Sequence, residues 1–242
     1  MKPILTLAFT ALLFWGCSKE SGVNNGGGFA AGGSLARFAL VGDNLFVAQP
    51  TTVHRFNITP NGITKNGSIN VNFQIETIFA RDANTLFTGS TTGMGIFNIA
   101  GSKLELVDVY PHIFACDPVV ANDTLAFVTL NSGFGESANL CRNADNLLLT
   151  FDVTNITQIQ QIGQKELTKP IGLGLQGDVL FVCNAGIEAF SFADPANPVS
   201  LGRKSIDAID VIPTPKSLIV TGLYGITQLS YQNGQFTVLS EL

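Results

Sequence analysis

Apolar side chains come in short runs along most of this chain, and each run is broken by a cluster of Gly, Asp, Asn or Pro. Residues 177–202 show the pattern in its cleanest form. A polar turn at Gly177-Asp178 precedes the apolar run Leu180 to Cys183, and a second turn lies at Asn184-Ala185-Gly186. Apolar positions Ile187, Phe190 and Phe192 follow, then a Pro-bounded turn from Asp194 to Pro198 and the pair Val199 and Leu201. Runs this short, punctuated this way, predict strands joined by tight turns. Beyond the first residues, no window of about ten positions keeps the 3.6-residue period of a helix.

The pattern repeats. A Leu follows a polar turn at Leu45, Leu86, Leu125, Leu180 and Leu218, with spacings of 41, 39, 55 and 38 residues. A second marker, an apolar-polar-apolar triplet, begins at Phe56, Phe97, Phe151, Phe190 and Leu229, lying 11, 11, 26, 10 and 11 residues after the first. Both markers keep step through five copies, and the third copy is longer by fifteen residues. Each copy reads as four short strands; in the second they fall near 75–80, 85–90, 94–99 and 103–109. A period of about forty residues holding four antiparallel strands is the signature of a β-propeller, in which each sheet buries both faces against neighbours. The expected fold is therefore all-β: five four-stranded blades over residues 35–240, with an insertion at 132–146 in the third.

Composition agrees: 45% hydrophobic residues, 18 Phe, 25 Gly and only 13% charged residues suit a strand-rich globular chain rather than a disordered one. A net charge of −5, with the basic residues scattered, leaves no cationic stripe for phosphates, so nucleic acid is not an expected partner.

The first residues read differently. Lys2 precedes an apolar stretch from Ile4 to Trp15, too short for a bilayer span of about 20 residues but suited to a processing signal. Leu13-Phe14-Trp15-Gly16-Cys17 resembles a bacterial lipobox, with a small residue before the cysteine. The expected organisation is a lipoprotein signal peptide at 1–16, lipid on Cys17, a Gly/Ser/Asn-rich flexible tether over 17–34 and the propeller at 35–242. Acyl chains on Cys17 would hold the protein on a membrane.

The repeat units also resemble a known family. Gly95-Ile96-Phe97-Asn98-Ile99, Gly186-Ile187-Glu188-Ala189-Phe190, the turn Asp194-Pro195-Ala196-Asn197-Pro198 and Cys116-Asp117-Pro118-Val119-Val120 are similar to the LVIVD-repeat proteins, lipoprotein-type β-propellers found largely in the Bacteroidetes. The resemblance implies a cell-envelope location, with an outer-membrane lipid anchor.

Three cysteines remain after Cys17, and an exported chain meets oxidising conditions. Cys116 and Cys141 bracket the third-copy loop, and a bridge between them would contribute about 3.5 kcal/mol by the chain-entropy estimate. The alternatives are a bond from either to Cys183 and no bond at all. The insertion itself carries Phe134, Glu136, Arg142 and Asp145, and with His112 and Asp117 these form the expected binding surface, since long loops on a rigid scaffold commonly carry function.

Catalytic motifs are sparse. Two histidines lie in different copies with no carboxylate beside either at ligand spacing, so no metal or cofactor is expected. Neither a G-x-S-x-G elbow nor a P-loop is present. Asp117, Asp207 and Asp210 fall at the starts of first strands, where a channel would gather them. The reading is therefore a non-catalytic surface or periplasmic module binding protein or glycan. The alternative is a saccharide-acting hydrolase or lyase using channel carboxylates.

Overall fold

The computed structural model describes residues 29–30, 33–111, 118–132 and 145–242. Its strands form five antiparallel sheets, each in simple sequence order, which is a five-bladed β-propeller. Blade one holds β2 (Phe38–Val41), β3 (Asn44–Gln49), β4 (Thr52–Thr59) and β5 (Gly62–Asn70), with the short β1 (Phe29–Ala30) added beside β2. Blade two holds β6 (Ile75–Ala80), β7 (Thr85–Ser90), β8 (Gly93–Asn98) and β9 (Glu105–Pro111). Blade three holds β10 (Val119–Ala121), β11 (Leu125–Leu130), β12 (Leu147–Asp152) and β13 (Gln160–Glu166). Blade four holds β14 (Pro170–Gln176), β15 (Val179–Asn184), β16 (Ile187–Ser191) and β17 (Val199–Lys204). Blade five holds β18 (Asp210–Pro213), β19 (Leu218–Thr221), β20 (Ile226–Gln232) and β21 (Gln235–Glu241). The first strands β2, β6, β10, β14 and β18 surround the hub.

The sequence markers have a structural meaning. In every blade the ladder between third and fourth strands shifts register immediately before the second marker, at Phe56, Phe97, Phe151, Phe190 and Leu229. Each shift leaves one extra residue on the outer strand, a β-bulge that bends and twists it. In blades three, four and five that residue is Ile162, Leu201 and Leu239, all exposed. Opposite the second marker stands the first: Leu86 pairs Phe97, Leu180 pairs Phe190 and Leu218 pairs Leu229. Blade three departs from this, because Phe151 pairs Ala126 rather than Leu125. Strand side chains alternate faces, so this one-residue offset sends Leu125 to the other face, where it packs towards blade four.

Four apolar clusters cement the ring, at the interfaces one–two, two–three, three–four and four–five. In each the second marker packs against the preceding blade, and Phe97, Phe151, Phe190 and Leu229 are fully buried. Full burial contributes about 1.5–3 kcal/mol for a side chain of this kind. Among the described residues no such cluster joins blade five to blade one. Accordingly Leu45 and Phe56, which face that join, are only half-buried, and Phe38 is 57% exposed.

Residues 33–36 make the join instead. Gly33 and Ser34 are buried, and the Ala36 amide donates to the Gly33 carbonyl at 3.0 Å, closing a reverse turn. The Ser34 amide and hydroxyl both donate to Oδ1 of Asp210, at 3.2 and 2.9 Å, and the Leu35 amide donates to Oδ2 at 3.1 Å. Ser34 Oγ in turn accepts the Leu173 amide at 2.8 Å, and Ile78 donates to the Ala36 carbonyl at 2.9 Å. Residues 33–36 thus tie together first strands from blades two, four and five. Gly33 and Ser34, placed by the sequence reading in a tether over 17–34, belong to the packed domain. The Asp210 carboxylate lies against Gly33 and Gly172, where a Cβ would overlap it, so close approach demands glycine at both positions.

Candidate functional site

All five first strands line a hub cavity of about 230 Å³. Phe38, Ile78, Phe79, Val120, Leu173 and Pro213 give it an apolar wall, and among the described residues Arg81 is its one charged lining residue. That guanidinium is already committed. It donates to Asp82 at 2.7 Å, to Thr85 Oγ1 at 2.9 Å and to the Val153 carbonyl at 3.4 Å, and it stacks over Phe87. Burial alone would raise the Asp82 carboxyl, but the hydrogen bond from Arg81, with those from Asn84 and Thr85 and the Arg81 charge, holds it below its usual value.

Of the carboxylates expected to gather in the channel, neither Asp207 nor Asp210 lines the hub cavity. Asp210 is buried and turned into the join, where burial pushes its carboxyl up against the pull of the Leu35, Ser34 and Val211 donors. Asp207 lies before β18, on the exposed crossing from blade four, where it accepts the Tyr224 amide at 3.0 Å. Asp117 lies outside the described residues. No group of three or more His, Cys, Asp or Glu side chains among the described residues is placed to hold a metal ion.

The ring has two unlike faces. First strands end at turns 42–43, 82–84, 122–124, 177–178 and 214–217, and we name this the turn face. The opposite connection face carries the crossings between blades and the links from second to third strand, among them the link from β11 to β12 that contains the insertion. The base of that insertion is clasped. Ser132 donates to Asn146 Oδ1 through both amide and hydroxyl at 3.1 Å, and Asn146 Nδ2 donates to the Thr168 carbonyl at 3.2 Å. Asn131 reaches the Pro170 carbonyl, so the loop is fastened to blade four. Asp145 is exposed beside this clasp. Phe134, Glu136, Arg142 and His112 lie outside the described residues, as do Cys17, Cys116 and Cys141.

Cys183 closes β15 as a free, buried thiol, so the pairing that would have used it is not made. Burial, and secondarily the charge of Asp210, pushes the thiol well above its ordinary value. Its side chain belongs to the cluster between blades four and five, where a small apolar group fits.

Three working residues escaped the sequence reading. Ser34 sat in what reads as linker, and Asn146 in what reads as loop. Arg55, beside the half-buried His54, is itself buried: it donates to Asn44 at 2.9 Å and to the Lys103 and Gly101 carbonyls of blade two, over the Phe46 ring. Arg55 lies mid-strand in β4 and Arg81 just past β6, so no shared spacing in the sequence marks them as links between blades.

The fold and its hub define a β-propeller, and known structures agree. A protein from Bacteroides fragilis, provisionally named a 6-phosphogluconolactonase, is 14% identical over 85% of this chain and 69% of its own, with a TM-score of 0.66. A counterpart from Bacteroides uniformis with the same provisional name is 13% identical over 85% and 69%, with a TM-score of 0.65. A Lactobacillus plantarum protein is 12% identical over 84% and 73%, with a TM-score of 0.67. Likeness at such identity speaks for the fold alone. No family profile and no curated relative matches the chain.

Proposed function

We propose that this protein is a non-catalytic binding module of the cell envelope, held to the outer membrane by lipid on Cys17 and related to the LVIVD-repeat propellers. Its ligand class is protein or glycan, taken up on the connection face around the blade-three insertion. One observation carries the non-catalytic reading. No carboxylate is among the described residues that line the hub cavity, and Asp210, at the start of β18, is spent on Ser34 and Leu35. Acid–base chemistry on a sugar needs two carboxylates facing one cleft, and the described hub supplies no such pair. The clasp of Ser132 and Asn146 fixes where the insertion leaves and rejoins blade three.

The test is a pull-down from envelope extract with the mature chain and with a variant lacking residues 133–144, which keeps the clasp. Loss of specific partners or glycans in the variant is the expected result, and an unchanged set would place binding elsewhere. Palmitate labelling that survives C17A would overturn the anchor. Hydrolysis of 6-phosphogluconolactone above the spontaneous rate would overturn the non-catalytic reading.

A further inference from the structure

The short strand β1 decides where the chain leaves the ring. Phe29 pairs with Val41 and Ala30 with Leu40, antiparallel, on the edge of β2 away from β3. That edge faces the hub, because β2 is a first strand lining the central cavity. The reverse turn at 33–36 sits at the other end of β2, pinned by Asp210 on the connection side. The backbone therefore meets the ring at the level of the Gly42-Asp43 turn, descends alongside β2 within the hub, reverses at Ser34 and returns as β2.

From this path we infer that the tether leaves through the turn face, and that this face is held towards the membrane while the connection face looks outward. The membrane half rests on the lipid-anchor reading above. Eleven residues separate Cys17 from Phe29. The twelve steps from Cys17 to Phe29 reach about 40–43 Å when fully extended. To turn the connection face to the bilayer, the tether would have to run from hub to rim and then down the side. Three strand spacings of about 4.8 Å plus a six-residue strand at about 3.3 Å per residue make that path about 34 Å, which takes up most of the extended length. Entropy opposes such stretching, so the domain stays turn face down.

Charge fits a gap rather than flat adhesion. At the hub-side turns of the turn face, Asp82 is paired with Arg81 and Lys216 stands on blade five, while blades one, three and four each carry an exposed aspartate, Asp43, Asp123 and Asp178. Beside an anionic lipid surface these repel, and the effect falls off within about 8 Å at physiological salt. The tether is long enough for the propeller to stand beyond that distance. The outward face then carries the insertion clasp, Asp145 and the exposed Leu223-Tyr224 link of blade five, which marks it as the surface available to partners approaching from the aqueous side.

Two measurements separate the parts. In the folded chain, A30C/L40C should form a disulfide between residues 30 and 40 on mild oxidation, seen as a linked peptide by mass spectrometry, while A30C/Y224C should not. Absence of the 30–40 link overturns the path of β1, whatever the lipid does. Next, full-length lipidated protein in phosphatidylcholine vesicles would carry a genetically encoded coumarin amino acid at position 178 or 224. Energy transfer to a headgroup acceptor should be stronger from 178 on the turn face. Equal or reversed transfer overturns the orientation. Failure of the protein to retain lipid at Cys17 overturns the membrane half together with the anchor, and leaves the disulfide to decide the path of the strand.

Discussion

Ser34 Oγ donates to Asp210 Oδ1 at 2.9 Å across 176 positions of sequence, and the same oxygen accepts the Leu173 amide. This small relay replaces the apolar cluster that every other pair of neighbouring blades shares. A buried carboxylate with several donors is a demanding join, because each lost partner leaves another group unsatisfied.

S34A should therefore lower stability by about 1–3 kcal/mol, the penalty of unsatisfied buried groups, although it removes a single oxygen. Urea unfolding monitored by far-UV circular dichroism checks this. A shift within error of zero would show that the join lies elsewhere.

The pH dependence follows from Asp210. Its folded carboxyl is raised above the unfolded value, mainly by burial. Its favourable contribution is therefore complete below the unfolded value and is lost as pH rises through the folded one. The stability of wild type relative to D210N should grow as pH falls towards 4 and shrink as it returns to 7. A gap that widens upward would contradict the assignment.

Local opening should begin at the join between blades five and one. Amides of β2, β3 and β18 should exchange hydrogen before those of β11 and β12, which lie between two apolar clusters. S34A should speed exchange in β2 and leave β12 unchanged.

Arg81 is held by Asp82, Thr85 and Phe87 of its own blade and reaches across to the Val153 carbonyl of blade three, and R81A should be destabilising by about 2–3 kcal/mol, as for lost hydrogen bonds to a charged group. R81K should recover less than half, since an ammonium cannot reproduce the guanidinium fork. The Asp82 carboxyl, held down in the folded state, should titrate at higher pH in R81A by NMR. Its contribution in wild type is present above the unfolded value and lost as pH falls through the depressed folded one.

Cys183 should resist alkylation in the native protein and react at once in denaturant. Protection of roughly 1,000-fold or more matches a folding free energy of about 5 kcal/mol. Rapid native labelling of Cys183 would refute its burial. By contrast, L201Q and L239Q should stay within about 0.5 kcal/mol of wild type and keep all binding partners, because these bulge residues already face water.

The blade count and most strand positions were legible because their causes are local. Period-two alternation, turn residues and a repeated marker all act within a few positions, and β6, β7 and β11 fall where the pattern places them. Blade three shows the limit. Leu125 satisfies the local pattern, yet the ladder seats Ala126 opposite Phe151, and only the pairing of whole strands settles which face a side chain takes. The fifth first strand likewise begins at Asp210, later than its apolar run suggests, since Ile206 to Ile209 cross between blades.

What the sequence alone determined is a five-copy, all-β chain whose third copy is the longest. Tertiary structure decided the rest: that Ser34 is part of the ring, that Asp210 joins blades instead of serving a channel, and that Arg55 and Arg81 are interior. The physical reason is distance along the chain. A strand or turn is written in neighbouring residues, whereas a hydrogen bond closing a ring joins residues whose separation leaves no periodic trace.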